Sequence, residues 1–101
     1  MSQSQGPPAA DPAQYDQQQL DALLATELGR LIHDRRIELG LSRADLAERA
    51  EMTPPQVARI EGGGSLPTLQ PLHRLVRALD GVLNVSLDAN GSRITLTPHA
   101  T

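Results

Sequence analysis

Gln56 and Arg59 stand three residues apart in "MTPPQVARIE", residues 52–61, the spacing that puts two side chains on one face of a helix. In that position a glutamine can pair with N6 and N7 of adenine, and an arginine with O6 and N7 of guanine. Each such pairing is worth roughly 1–3 kcal/mol of discrimination. Arg43, which opens the preceding helical stretch, is placed for a phosphate, aided by the free amides of that helix start. The loop from Gly62 to Ser65 is a further candidate source of backbone amides for phosphate. Other chemistry is poorly supplied. His33, His73 and His99 have no cysteine, no HxxxH spacing and no nucleophile motif around them, so no metal, cofactor or catalytic role is expected and the chain does not read as an enzyme.

Pro54 and Pro55 follow Thr53 directly, an unusual opening for a helix meant to face another molecule. With Thr53 as N-cap they occupy the first two helical positions, whose N–H groups have no intrahelical acceptor, so no bond is lost and φ is preset. Thr53 should then cap the N–H of Gln56. The loss falls on recognition, because two apolar rings suit at most a thymine methyl.

These residues need elements to hold them. Leu20, Leu23, Leu24, Leu28, Leu31 and Ile32 recur at helical spacing, and that helix should end at Gly40. Ser42 and Asp45 have capping-box spacing and open a helix from Arg43 to Ala50. Thr53 and Gln56 repeat the device for a helix from Pro54 to about Ile60. Thr68 opens a fourth, with Leu69, Leu72, Leu75, Val76 and Leu79 inward and Pro71 in its tolerant first turn. Beyond Gly81 the period drops to two. Asn90-Gly91 predicts a type I′ hairpin turn pairing Ala89 with Ser92, Asp88 with Arg93, Leu87 with Ile94, Ser86 with Thr95, and Val85 with Leu96. Val85, Leu87, Ile94 and Leu96 then share an apolar face, which either the helices or a second copy of the chain must cover. The expected organisation is a disordered arm at 1–19, rich in Gln and Pro, a helical domain at 20–80, and a hairpin at 81–101. The fold class is mainly α, four to five helices followed by a C-terminal β-hairpin.

The bulk numbers agree with one small domain and a tail: 101 residues, no cysteine, and a single aromatic residue, Tyr15. Base stacking on aromatic platforms is therefore not available. Net charge is −3, unevenly spread. Residues 1–27 hold four acids and no base, whereas residues 28–79 hold eight arginines against six acids. With no membrane-length apolar run and no signal-peptide layout, a cytoplasmic location is expected, at the nucleoid when bound to DNA.

Two short helices joined by "EMT" form a helix-turn-helix candidate. The apolar positions 46, 50, 52, 57 and 60, Ala47 at the helix contact, and the flanking "RRIELGLSRADLAERA" and "RIEGG" closely resemble the bacterial Cro/CI-type (XRE) family, from about Leu28 to Leu79. The resemblance implies a lambda-repressor-like fold, contact with double-stranded DNA through Arg43, Thr53, Pro54, Pro55, Gln56 and Arg59, and a structural ion pair between Arg36 and Glu61. This chain departs from the family at Glu51, usually glycine in the turn, which must accept a left-handed backbone or a different turn. It departs again at Pro54 and Pro55, where glutamine or serine is common, and at Arg43, commonly glutamine. The segment "ALDGVLNVSLDANGSRITL" is similar to the C-terminal ribbon of HigA-like and HipB-like antitoxins. That likeness implies a homodimer joined through Val85, Leu87, Ile94 and Leu96, a palindromic operator, autorepression, and a partner toxin to which the acidic N-terminal segment is suited. Alternatives are a free-standing regulator without a toxin, and a protein-interaction adaptor on the same scaffold.

Overall fold

The computed structural model describes residues 17–100; most of the expected N-terminal arm lies outside them. Four helices precede two strands: α1 (Gln17–Glu38), α2 (Arg43–Ala50), α3 (Pro54–Glu61), α4 (Leu69–Ala78), β1 (Gly81–Asp88) and β2 (Gly91–Pro98). α1 begins at Gln17, inside the stretch assigned to the arm. Its buried stripe is Ala25, Leu28 and Ile32, while Leu23 is 57% exposed and stands outside the core. The helix ends as Gly40 predicts: Gly40 has φ 72°, its N–H donates to the Ile37 carbonyl, and the Leu41 N–H donates to that of Arg36, both at 3.0 Å. This is the Schellman pattern, which a residue with a left-handed backbone closes most readily.

Leu28, Ile32, Leu46, Ala47, Ala50, Val57, Ile60, Leu75 and Leu79 form one aliphatic core. Along α4 exposure falls from 83% at Leu69 to none at Leu75, and Leu79, just past its end, is equally buried. Leu69, expected to face inward, therefore sits where the helix emerges from the bundle. At the other end of α4, Arg35 reaches from α1 to donate Nε to the Leu79 carbonyl at 3.0 Å and Nη2 to that of Asp80 at 3.1 Å. Asp80 itself turns the chain with φ 51°.

The hairpin forms, but in a different register. Asp88 pairs with Gly91, Leu87 with Ser92, Ser86 with Arg93, Val85 with Ile94, and Leu83 with Leu96. The turn centres on Ala89 and Asn90, neither at positive φ, and Gly91 alone takes it, at 131°. The Asp88 carboxylate accepts the Asn90 N–H at 2.8 Å, a local bond that favours this turn over the type I′ alternative. Arg93 consequently faces Ser86 rather than Asp88. A slip of two residues preserves the faces, whereas a slip of one would have reversed them. It does change which residues meet the helices: Leu83, Ile94 and Leu96 pack against the core, while Val85 and Leu87 remain 50% and 63% exposed. The helices thus cover this face at its base only.

Candidate nucleic-acid interface

The turn between α2 and α3 sets the angle at which α3 is presented. Glu51 adopts the left-handed conformation, φ 60° and ψ 49°. The Glu51 N–H reaches the Glu48 carbonyl at 3.3 Å and the Met52 N–H that of Ala47 at 2.9 Å. The turn thus keeps the shape that glycine ordinarily serves, at a cost of roughly 1 kcal/mol for the side chain. Thr53 then caps α3: its hydroxyl accepts the Gln56 N–H at 3.3 Å, and its own N–H donates to Gln56 Oε1 at 2.8 Å. Pro54 and Pro55 occupy the first two helical positions and are exposed.

Val57 and Ile60 bury the inner side of α3, which leaves Gln56 and Arg59 exposed on the outer side. Their circumstances differ. The Gln56 amide oxygen also accepts the Thr53 hydroxyl at 3.1 Å, so it is committed to the cap, and two-point pairing with adenine requires that bond to open. Arg59 has no ion pair among the described residues. Its stem lies over Gly64, where an added Cβ would stand 3.1 Å from Arg59 Cγ. With Met52, Gln56, Ser65 and Pro67 it lines a shallow pocket of about 230 Å³.

The glycines after α3 do not offer their amides. The N–H groups of Gly62, Gly63 and Gly64 donate to the carbonyls of Ala58, Ile60 and Arg59, each at 3.0 Å. They close the helix C-terminus, so the expectation that these three hold phosphate is corrected.

Glu61, last residue of α3, anchors it to α1. Its carboxylate is 2% exposed and meets Arg36 Nε at 2.6 Å and Arg36 Nη2 at 3.1 Å. Arg36 also donates Nη1 to the Leu41 carbonyl at 2.9 Å. His33 Nδ1 lies 3.2 Å from Glu61 Oε1, and Arg43 Nε donates to the same oxygen at 3.1 Å. Burial alone would raise the Glu61 carboxyl, but hydrogen bonds from Arg36, His33 and Arg43 outweigh it and hold the group below the usual carboxylate range. Arg43 is the solvent-facing member, half exposed. If it left for a phosphate, Glu61 would keep both bonds from Arg36 and no buried charge would be orphaned. At the start of α2, Asp45 is likewise held low, by the Ser42 backbone N–H and then its side chain.

No motif in the sequence points to the roles of His33, Arg35 and Arg74. Arg74 Nε donates to the Ala50 carbonyl at 2.9 Å, fastening α4 to the end of α2. Such bonds join residues 24 or more apart to a backbone oxygen, and no local spacing announces them. Among the described residues no group of three or more His, Asp or Glu is placed to hold a metal ion, and no helix is long and apolar enough to cross a membrane.

Comparison with known proteins agrees with this geometry. The helix-turn-helix domain family matches residues 27–82. An uncharacterized HTH-type transcriptional regulator of Methanothermobacter thermautotrophicus is 43% identical over 49 residues, covering 48% of this chain and 71% of the relative. Among solved structures, the restriction-modification controller protein C.AhdI from Aeromonas hydrophila superposes with a TM-score of 0.56 at 26% identity, over 57% of this chain and 88% of that one. A capped α2, a left-handed turn, an outward α3 and these likenesses together place the chain in the helix-turn-helix family of DNA-binding transcriptional regulators, of the Cro/CI (XRE) type.

Proposed function

We propose that the protein is a homodimeric, sequence-specific repressor that reads a palindromic operator, and that it is the antitoxin of a toxin–antitoxin pair, repressing its own operon and neutralising its partner in the cytoplasm. The observation that carries the DNA reading is Arg59: exposed on the outer face of α3, without an ion-pair partner among the described residues, its stem seated on Gly64. Arg59 supplies the specific contact, Gln56 a second once its cap opens, and Arg43 the phosphate contact. Thr53, Pro54 and Pro55 shape the surface between them. Two half-sites about 34 Å apart require two copies of α3. The dimer element is the hairpin face of Val85, Leu87, Ile94 and Leu96, with most new area coming from Val85 and Leu87, which the helices leave uncovered.

The antitoxin assignment is supported by the ribbon that directly follows α4 and by the acidic N-terminal segment. The likeness to C.AhdI, named as a restriction-modification controller, favours a second reading, a free-standing controller with no toxin. Selecting bound sequences from a random duplex pool, with the molar mass measured in the same buffer, tests the shared core of both readings. An enriched palindrome and a dimer mass are expected; a folded protein that enriches nothing at low salt would overturn it. Co-purification with the product of the adjacent gene separates the two, since only an antitoxin retains a toxin.

A further inference from the structure

The nine arginines sort into two groups. Arg30 pairs with Glu27 and Asp34, Arg35 with Glu38, and Arg36 and Arg43 with Glu61. The other five have no ion pair among the described residues. Arg59 and Arg93 stand apart, but Arg49, Arg74 and Arg77 converge, with Glu51 and Ala78, on one open pocket of about 210 Å³.

That pocket is assembled and electrically incomplete. Arg74 is fixed by its bond to the Ala50 carbonyl, which sets the direction of a rigid, planar donor fork. Arg49 and Arg77 lie in the last turns of α2 and α4, where helix C-termini favour cations. No acid among the described residues forms an ion pair with any of the three. Glu51 makes no ion pair among the described residues, and Asp45, one turn before Arg49, has its carboxylate engaged by the Ser42 N–H at 3.0 Å and attracts Arg49 only as a lesser influence, without an ion pair. Counting Glu51, the lining carries a formal +2, which matches a phosphate monoester at about −1.5 to −2 near neutrality and exceeds the single negative charge of a duplex phosphodiester.

We propose that Arg49, Arg74 and Arg77 form a binding site for a single phosphate group, distinct from the surface carrying Arg59 and Arg43. Guanidinium forks suit tetrahedral oxyanions because each can donate two parallel bonds. The phosphate comes either from duplex flanking the bound half-site or from a free phosphorylated small molecule. In both cases it bridges the end of α2, the left-handed turn and α4, the parts that hold the start of α3. The site does not depend on the operator reading, so it can be tested even if no operator exists.

The test follows arginine Nε–Hε NMR signals of the full chain during titration with inorganic phosphate, chloride keeping ionic strength constant. Saturable shifts at Arg49, Arg74 and Arg77, with Arg59 unmoved, are expected. Arg77→Gln should weaken binding about tenfold, the loss of one charge-assisted contact, and Glu51→Gln should tighten it by removing a like charge. In parallel, the salt dependence of duplex binding is compared for Arg77→Gln on a duplex trimmed to the operator and one extended beyond it. A slope reduced by about one on the extended duplex alone assigns the phosphate to flanking DNA. Unchanged slopes, with phosphate shifts persisting in the duplex complex, assign it to a free ligand. No saturable response to phosphate together with unchanged slopes would overturn the proposal, as would an equal response to acetate.

Discussion

Replacing Gly29 by alanine sets two physical effects against each other. Gly29 lies within α1, and by helix propensity alone Gly29→Ala should stabilise the protein by about 1 kcal/mol. Its surroundings dictate the opposite. A Cβ at Gly29 would stand 2.5 Å from the Ile60 carbonyl oxygen and 2.6 Å from that of Glu61, and neither obstacle is a side chain that can rotate away. Reaching an ordinary carbon–oxygen contact of about 3.3 Å requires α1 and α3 to separate by roughly 0.8 Å. Overpacking typically costs 1–3 kcal/mol, and two backbone obstacles place this case near the upper end. The net expectation is a loss of about 2 kcal/mol, or roughly 8–16 °C in Tm for a domain of this size. Urea unfolding followed by circular dichroism, with the slope unchanged and the midpoint lowered, would measure it. A variant as stable as the parent, or more so, would show that the two helices do not approach this closely.

Three other outcomes are expected. Glu51→Gly should raise stability by about 0.4–1 kcal/mol, since residue 51 holds φ 60°; a loss in the same unfolding assay would reject the left-handed turn. Glu61→Gln should cost about 3 kcal/mol by leaving buried Arg36 without its counter-charge. Because the Glu61 pKa is depressed in the folded state, its contribution is complete above the unfolded value of about 4.3 and is lost as pH falls through the folded value. The stability gap between parent and Glu61→Gln should therefore close in acid, and a gap that widens there would contradict the pairing. Arg59→Ala should reduce discrimination among duplex sequences more than non-specific affinity, and equal losses on every sequence would show that Arg59 holds only phosphate.

Where a feature is set by neighbouring residues, it could be read from the chain. Ser42 with Asp45 and Thr53 with Gln56 fix both helix starts through bonds spanning three residues, and Gly40 fixes a helix end through its own φ. Where two local devices competed, reading failed: Asn90-Gly91 argued for one turn, and the Asp88 side chain favoured another. Leu69 continues the periodic stripe of α4, yet periodicity says nothing about how far the core extends along a helix. The neighbourhood of Glu61 was half visible. Arg36 came with the family resemblance, but the approach of His33 and Arg43 depends on the packing of α1 and α2 around the end of α3. Likewise, three arginines at positions 49, 74 and 77 become one cluster only once α4 lies across α2.

The capped start of α3 also bears on how such a protein can change its target. Thr53 and Gln56 hold the helix start between them and draw nothing from the side chains at 54 and 55. Every proline codon is one base change from codons for serine, threonine and arginine. Point mutations at Pro54 or Pro55 can therefore place hydroxyls or a guanidinium on the outer face while the cap, the left-handed turn and the Arg36–Glu61 anchor remain as they are. On the proposed reading, such a protein changes operators by single substitutions, with its scaffold insulated from the change.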